Sequence, residues 1–135
     1  MEIKPTYVTW EQAKWLKEKG FYVKVEWAYQ DKNLVHDSHY KELKNWNDKN
    51  HVDCSAPEQW QVVEWLRVNY GIWVYPLPID DEMKLWQCRI VKGQPFSNLK
   101  NTLKIINHGE ISYRGLYSPQ EAYSAAFDYI LNNLI

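Results

Sequence analysis

Three segments of the chain have the apolar spacing of amphipathic helices with well-defined ends. Each begins with a hydroxyl residue three positions before Glu or Gln, the capping-box pattern in which the two side chains satisfy free backbone N–H groups. The hydroxyl residues are Thr9, Ser55 and Ser118. The first two apolar patterns stop at Gly20 and Gly71, as expected where glycine closes a helix in the left-handed conformation. The sequence therefore predicts helices at about 10–19, 56–70 and 119–133.

Alternating apolar residues predict strands between these helices. Every second residue from Phe21 to Tyr29 is apolar, which is typical of a half-buried strand. Ile72–Tyr75 and Lys84–Val91 flank a proline-rich turn, so they are expected to form an antiparallel hairpin. A third strand is expected at Glu110–Arg114. The predicted fold class is therefore α+β, a single domain whose antiparallel sheet of three or more strands packs against the helices.

Residues 31–54 form a polar excursion. It connects a first part, 1–30, with a predicted helix and strand, to a second part, 55–135, with a predicted helix, three-stranded meander and helix. A connection of this length in a compact domain is often a functional loop or a mobile one. Both alternatives stay open for this segment.

The predicted core lies on the second and third helices and on the hairpin. It comprises Val63, Leu66, Ile72, Val74, Trp86, Ile90, Ala122, Ala126, Tyr129 and Ile130.

Composition excludes some classes of protein without selecting a function. The chain has 135 residues, with 16 Lys and Arg against 17 Asp and Glu, so it is not a polycation built to coat nucleic acid. Aromatic residues are abundant, with 8 Trp, 10 Tyr and 3 Phe. No apolar run approaches the roughly 18 to 20 residues of a membrane span. With two distant cysteines and no signal-peptide pattern, we expect a cytoplasmic protein with free thiols, no membrane partner and no cofactor.

The phase of the strands points to a candidate binding surface. If Ile72 and Val74 face the helices, their neighbours along the meander must face the opposite way. These outward residues include Trp73, Tyr75, Gln87, Arg89 and Arg114. Aromatic rings, guanidinium groups and an amide suit either a partner protein or a nucleotide-like ligand. The alternative is that the N-terminal segment or a second copy of the chain covers this face.

Candidate groups for metal binding and catalysis give weaker patterns. His36 and His39, followed by His51 and Cys54, have the paired spacing of a zinc site, but they lie in a polar stretch where solvated histidines are the expected state. No residue spacing matches a nucleophile elbow, a phosphate loop or a metallohydrolase helix. We therefore expect a binding protein without catalytic activity, with a small hydrolase or nuclease acting on nucleotides as the alternative.

Residues 55–135 have the predicted order helix, three strands and helix, together with Gly115–Ala122 and the pair Ala125 and Ala126. In these features the C-terminal part resembles the double-stranded RNA-binding domain in topology. In that family a lysine cluster at the last helix grips phosphates. Residues 116–135 contain Glu121 and Asp128 but no Lys or Arg, so double-stranded RNA is not an expected partner.

Several short segments are distributed over nearly the whole chain: Glu11–Lys14 with Leu16–Phe21, Ala56–Pro57 with Val62–Arg67 and Gly71–Ile72, and Tyr117–Ala122. In these segments the chain resembles a group of short uncharacterised proteins encoded by gut bacteria, their phages and mobile elements. The resemblance implies an accessory protein, for example in phage counter-defence. Such a protein would block a host protein or sequester a nucleotide-like signalling molecule, and it could form a homo-oligomer.

Overall fold

A computed structural model describes residues 3–36, 43–80, 82, 84–93, 104–106 and 116–135 of the chain. These residues contain α-helices and two antiparallel three-stranded sheets, so the predicted α+β class is confirmed. The chain divides into two compact units, Met1–Gln61 and Val62–Ile135, each with its own sheet. That both belong to a single domain stays a prediction. In the described part of the chain, no helix is long and apolar enough to cross a membrane.

The first unit pairs a helix with a small sheet. Helix α1 is Trp10–Glu18, and strands β1, β2 and β3 are Trp27–Gln30, Asn33–His36 and Cys54–Ser55, arranged in the order β2-β1-β3. A short 3-10 helix, Trp46–Asp48, precedes β3. The predicted capping box is present, because the Thr9 side chain accepts from the Gln12 backbone and the Gln12 side chain accepts from the Thr9 backbone.

Side-chain hydrogen bonds to buried backbone groups tie the first unit together. The Tyr29 hydroxyl donates to the Val8 carbonyl at 2.6 Å, and the Trp46 indole N–H donates to the Val25 carbonyl at 3.1 Å. The Asn47 side chain donates to the Phe21 carbonyl at 2.7 Å and accepts from the Ser55 N–H at 2.8 Å. Polar residues thus satisfy backbone groups that no regular ladder reaches.

Two predictions for the first unit need correction. The strand predicted from Phe21 to Tyr29 begins only at Trp27, although Phe21 and Val25 are buried. In its described part, the segment 31–54 contains β2, the 3-10 helix and the start of β3. Asp31 and Lys32 form a two-residue turn that pairs β1 with β2.

Helix α2, Gln59–Tyr70, begins later than predicted. Ser55 belongs to β3 and is not the helix cap. The backbone N–H of Glu58 donates instead to the Gln61 side chain at 2.8 Å. The start of the helix is therefore set by a local contact three residues further along the chain than expected.

The second unit consists of most of α2, a meander and a long C-terminal helix. Strands β4, β5 and β6 are Ile72–Pro78, Trp86–Lys92 and Lys104–Ile106, in the order β4-β5-β6. Helix α3, Pro119–Asn133, is capped by Ser118 and packs on β4 and β5. The predicted hairpin and last helix are confirmed. The strand predicted at Glu110–Arg114 lies outside the described residues.

Strand β4 continues through Pro76 and Pro78, where the sequence predicts the turn of the hairpin. Proline lacks the N–H that a central strand must donate, but an edge strand can leave that side unpaired. In the described sheet β4 is such an edge strand.

Most of the predicted core of the second unit is buried. Leu66, Ile72, Val74, Ile90, Ala122, Ala126 and Ile130 are buried as expected. Val63, Trp86 and Tyr129 are only partly buried. Val62, Phe127 and Leu131 are also buried, so the buried faces of the two helices are wider than the sequence predicts.

Candidate functional site

The predicted surface residues of the meander lie on one face of the β4–β5 hairpin. Tyr75 pairs directly with Arg89, Trp73 with Val91, and Leu77 with Gln87. Because paired residues in an antiparallel ladder point to the same side, this set faces away from the buried Ile72, Val74, Cys88 and Ile90, although Val91 beside Trp73 is itself buried. We call the face that carries Trp73, Tyr75, Gln87 and Arg89 the outer face. Arg114 lies outside the described residues.

The outer face combines exposed rings with charge. Trp73 is 47% exposed and Tyr75 38% exposed, while Arg89 is exposed and Gln87 is half-buried. The Arg67 guanidinium lies over the Trp73 ring, 5.3 Å from its centroid, and also pairs with the Glu64 carboxylate. Among the described residues, Arg89 has no ion-pair partner. The face therefore offers aromatic rings and an exposed guanidinium group to a binding partner.

The two cysteines are buried free thiols, as the sequence predicted. Burial raises the pKa of Cys54 from 9.0 to about 11, with a smaller contribution from the neighbouring Asp53 carboxylate. Burial likewise raises the pKa of Cys88 from 9.0 to about 12. Both thiols stay protonated at neutral pH, so neither is prepared to act as a nucleophile.

These raised pKa values predict a loss of stability at alkaline pH. Below pH 9 the thiols are protonated in both folded and unfolded chains, and their contribution is fully present. Above it the unfolded chain forms thiolates and the folded chain does not, so the free energy of unfolding falls until the folded pKa is passed. We expect a slope of about 1.4 kcal/mol per pH unit per thiol. Urea unfolding between about pH 8 and about pH 10, under reducing conditions, measures it.

Cys88→Ala serves as the comparison in that experiment. The variant is expected to show a shallower decline because one of the two thiols is gone. An identical decline in the variant and the parent would contradict the assignment of the slope to Cys88.

The residues considered for zinc are only partly brought together. His36 and His51 line the same small cavity of about 230 Å³, together with the Lys44 ammonium. Cys54 is buried on β3, and His39 lies outside the described residues. Within the described ranges, no group of three or more His, Cys, Asp or Glu side chains could hold a metal ion.

The first unit contains a large cleft that the sequence did not predict. It has a volume of about 890 Å³, and its lining includes Trp10 and Lys14 from α1 and Lys32 from the β1–β2 turn. The Lys14 and Lys32 ammonium groups lie 4.4 Å and 4.9 Å from the centroid of the Trp10 ring. The cleft thus places two cations against one aromatic ring, and we call it the Trp10 cleft.

Hydrogen bonds to Asp53 hold the Trp10 and Lys17 side chains of the Trp10 cleft in place. The Trp10 indole N–H donates to the Asp53 carboxylate at 3.4 Å, and the Lys17 ammonium donates to the Asp53 carbonyl at 2.9 Å. Glu18 and Asp31 also line the cleft. The helical spacing of Trp10, Lys14 and Lys17 is visible in the sequence, since residues three and four apart share a helix face. Lys32 joins them only through the hairpin, which the sequence did not predict.

Comparison with protein families, with curated proteins and with solved structures gives no match. The resemblances noted in the sequence therefore remain expectations. What the geometry defines is a small α+β protein with an aromatic and cationic sheet face in one unit and an aromatic and cationic cleft in the other.

Proposed function

We propose that this chain is a small binding protein that acts without catalysis and attaches to a partner protein through the outer face. One observation carries this proposal: Trp73, Tyr75 and Arg89 lie on neighbouring strands with accessible side chains. Trp, Tyr and Arg contribute most of the binding energy in protein interfaces. A hydrogen-bonded hairpin also holds them in place before the partner arrives, which lowers the entropic cost of binding.

The charge of the outer face favours an acidic partner surface. Arg89 is costly to bury in an interface unless a carboxylate meets it, and a guanidinium can bind a carboxylate through two parallel hydrogen bonds. Tyr75 beside it can pack against the stem of such an acidic residue and offer its hydroxyl for a hydrogen bond. The proposed partner is therefore a protein that presents Asp or Glu next to an apolar patch.

The shape of the outer face favours a protein over a small ligand. Small molecules bind mainly in concave sites that bury most of their surface. The outer face is the side of a regular two-stranded ladder, which suits a broad contact instead. Blocking a host protein in this way would be consistent with an accessory protein of a phage or mobile element, including one that acts in counter-defence.

Alanine variants of the outer face test this proposal. Tagged wild-type protein and the variants Trp73→Ala, Arg89→Ala and Trp60→Ala are compared by affinity capture from a bacterial lysate with quantitative mass spectrometry. Trp60 is 64% exposed and belongs to the first unit, so it is a matched control. We expect that the wild type and Trp60→Ala capture one acidic protein and that Trp73→Ala and Arg89→Ala do not. The melting temperatures of the variants are expected to stay close to that of the wild type.

Two results would contradict the proposal. Equal capture by all four proteins would show that the outer face is not the docking surface. A loss of about 3 to 5 kcal/mol of stability in Trp73→Ala would show that Trp73 is part of an internal seam. Native mass spectrometry adds a check. If the wild type forms a homo-oligomer that the substitution Trp73→Ala dissociates, then a second copy of the chain, and not another protein, binds to the outer face.

A further inference from the structure

The Trp10 cleft has a different chemistry from the outer face and does not depend on the partner-binding function. We propose that it is a binding site for a nucleotide, a small molecule that carries both a flat aromatic ring and phosphate groups. Its volume of about 890 Å³ lies within the range of natural ligand sites. Its lining residues can contact the phosphates, the aromatic ring and the ribose of such a ligand.

The phosphate groups would be bound by lysine. The Lys14 and Lys32 ammonium groups lie near the same ring, and neither forms an ion pair with a described residue. A phosphate bound beside the Trp10 ring would accept charge-assisted hydrogen bonds from these ammonium groups. Lys17 uses one of its three N–H donors on the Asp53 carbonyl and keeps two for further acceptors.

The aromatic ring of the ligand would stack on Trp10. The hydrogen bond from the Trp10 indole N–H to the Asp53 carboxylate orients the Trp10 ring before any ligand binds. A base that stacks on this ring takes the place of one ammonium group on its face. That ammonium is then released toward the phosphate, so stacking and phosphate binding support each other.

The two remaining carboxylates fit a nucleoside better than a simple anion. Glu18 and Asp31 line the same cleft and can accept hydrogen bonds from ribose hydroxyls or exocyclic amines. They also offset the positive charge of the lysines. A long polyanion such as duplex nucleic acid would therefore gain little in this cleft, whereas a ligand with both donors and phosphates would be matched.

The backbone of the β1–β2 turn gives independent support. Asp31 and Lys32 both have positive φ, 51° and 67°, as a two-residue type I′ turn requires. Asp31 is a residue type that tolerates this conformation, whereas Lys32 occupies a position that glycine usually takes, and such strain is concentrated at functional sites. Lys32 places its ammonium over the cleft at some cost in local stability, because glycine would adopt the same φ without strain.

Chemical shifts of the tryptophan indole groups provide the direct test. The full-length protein is labelled with ¹⁵N, and Trp10→Phe identifies the Trp10 indole signal. The probes are the four ribonucleoside triphosphates, cyclic diguanylate and cyclic diadenylate, each at up to about 1 mM. We expect at least one nucleotide to shift the Trp10 signal in a saturable way. A Trp10 signal that none of the six nucleotides moves would overturn the proposal.

Fragments of the ligand and matched variants show which groups are used. For the nucleotide that binds, the matching nucleoside and inorganic tripolyphosphate are each expected to bind at least about tenfold more weakly. The double variant Lys14→Ala with Lys32→Ala should lose a similar factor, whereas Lys24→Ala, an exposed lysine outside the cleft, should bind as the wild type does. Tripolyphosphate binding as tightly as the nucleotide would refute the role of the ring.

Lys32→Gly separates a binding role from a structural one. Glycine adopts positive φ without strain, so this variant is expected to melt at a higher temperature than the wild type while binding the nucleotide more weakly. A variant that is more stable and binds equally well would show that the Lys32 ammonium takes no part in the site, and would count against the proposal.

Discussion

Phe127→Ala is expected to destabilise the protein by about 3 to 5 kcal/mol. The Phe127 side chain is completely buried, and its ring stacks on Tyr123 with centroids 6.1 Å apart. It lies on α3, the helix that packs on β4 and β5. Removing the ring leaves a cavity that neighbouring side chains fill only partly, so the loss exceeds the transfer free energy of the deleted atoms. Urea unfolding followed by circular dichroism measures the effect.

Tyr117→Ala is the matched control for this substitution. Tyr117 immediately precedes the cap of the same helix and is 76% exposed, so the same removal of a ring is expected to cost less than about 0.5 kcal/mol. Similar losses in the two variants would mean that α3 is not docked on the sheet through Phe127.

Helix ends that depend on local contacts were predictable from the sequence. Thr9 and Ser118 accept hydrogen bonds from backbone groups three residues ahead, and both helices begin where the capping pattern places them. Ser55 has the same pattern but does not cap a helix. Its backbone N–H donates to the Asn47 side chain, and the next N–H, of Ala56, donates to the Trp27 carbonyl. Contacts distant in sequence therefore override the local signal at this position.

The strands of the first unit illustrate a second limit of sequence analysis. Strand β2 is mostly exposed, so its residues show no alternation of buried and exposed positions. Its pairing with β1 depends on backbone hydrogen bonds and on the turn at Asp31 and Lys32, neither of which needs an apolar residue. The Trp10 cleft was missed for the same reason, since Lys32 reaches it only through this turn.

The outer face was easier to predict because strand geometry alone determines it. Once Ile72 and Val74 are assigned to the core, the period of two places Trp73 and Tyr75 on the opposite side. The register then brings Arg89 opposite Tyr75. The proposal that these residues form a binding site is a separate one, and the alanine variants of the outer face test it.

Gly71→Ala is expected to destabilise the second unit by about 2 to 5 kcal/mol, through strain in the backbone and a steric clash together. Gly71 connects α2 to β4 with a φ of +64°, in the left-handed region that disfavours a side chain. A Cβ atom at this position would lie 2.9 Å from the backbone oxygen of Gly93. The N–H of Gly93 donates to the Gly71 carbonyl at 2.9 Å, so the clash would also disturb the hydrogen bond that closes the open end of the hairpin.

Gly20→Ala measures the part of that effect that comes from backbone strain, without a clash. Gly20 also has a positive φ, +85°, but a Cβ atom there would meet only the Tyr22 ring at 3.7 Å, an ordinary contact. We therefore expect a loss of about 1 to 2 kcal/mol from backbone strain alone. Urea unfolding of both variants gives the comparison. Equal losses would show that β4 and β5 can separate enough at Gly93 to admit a side chain, whereas a larger loss for Gly71→Ala confirms the close approach of the two strands.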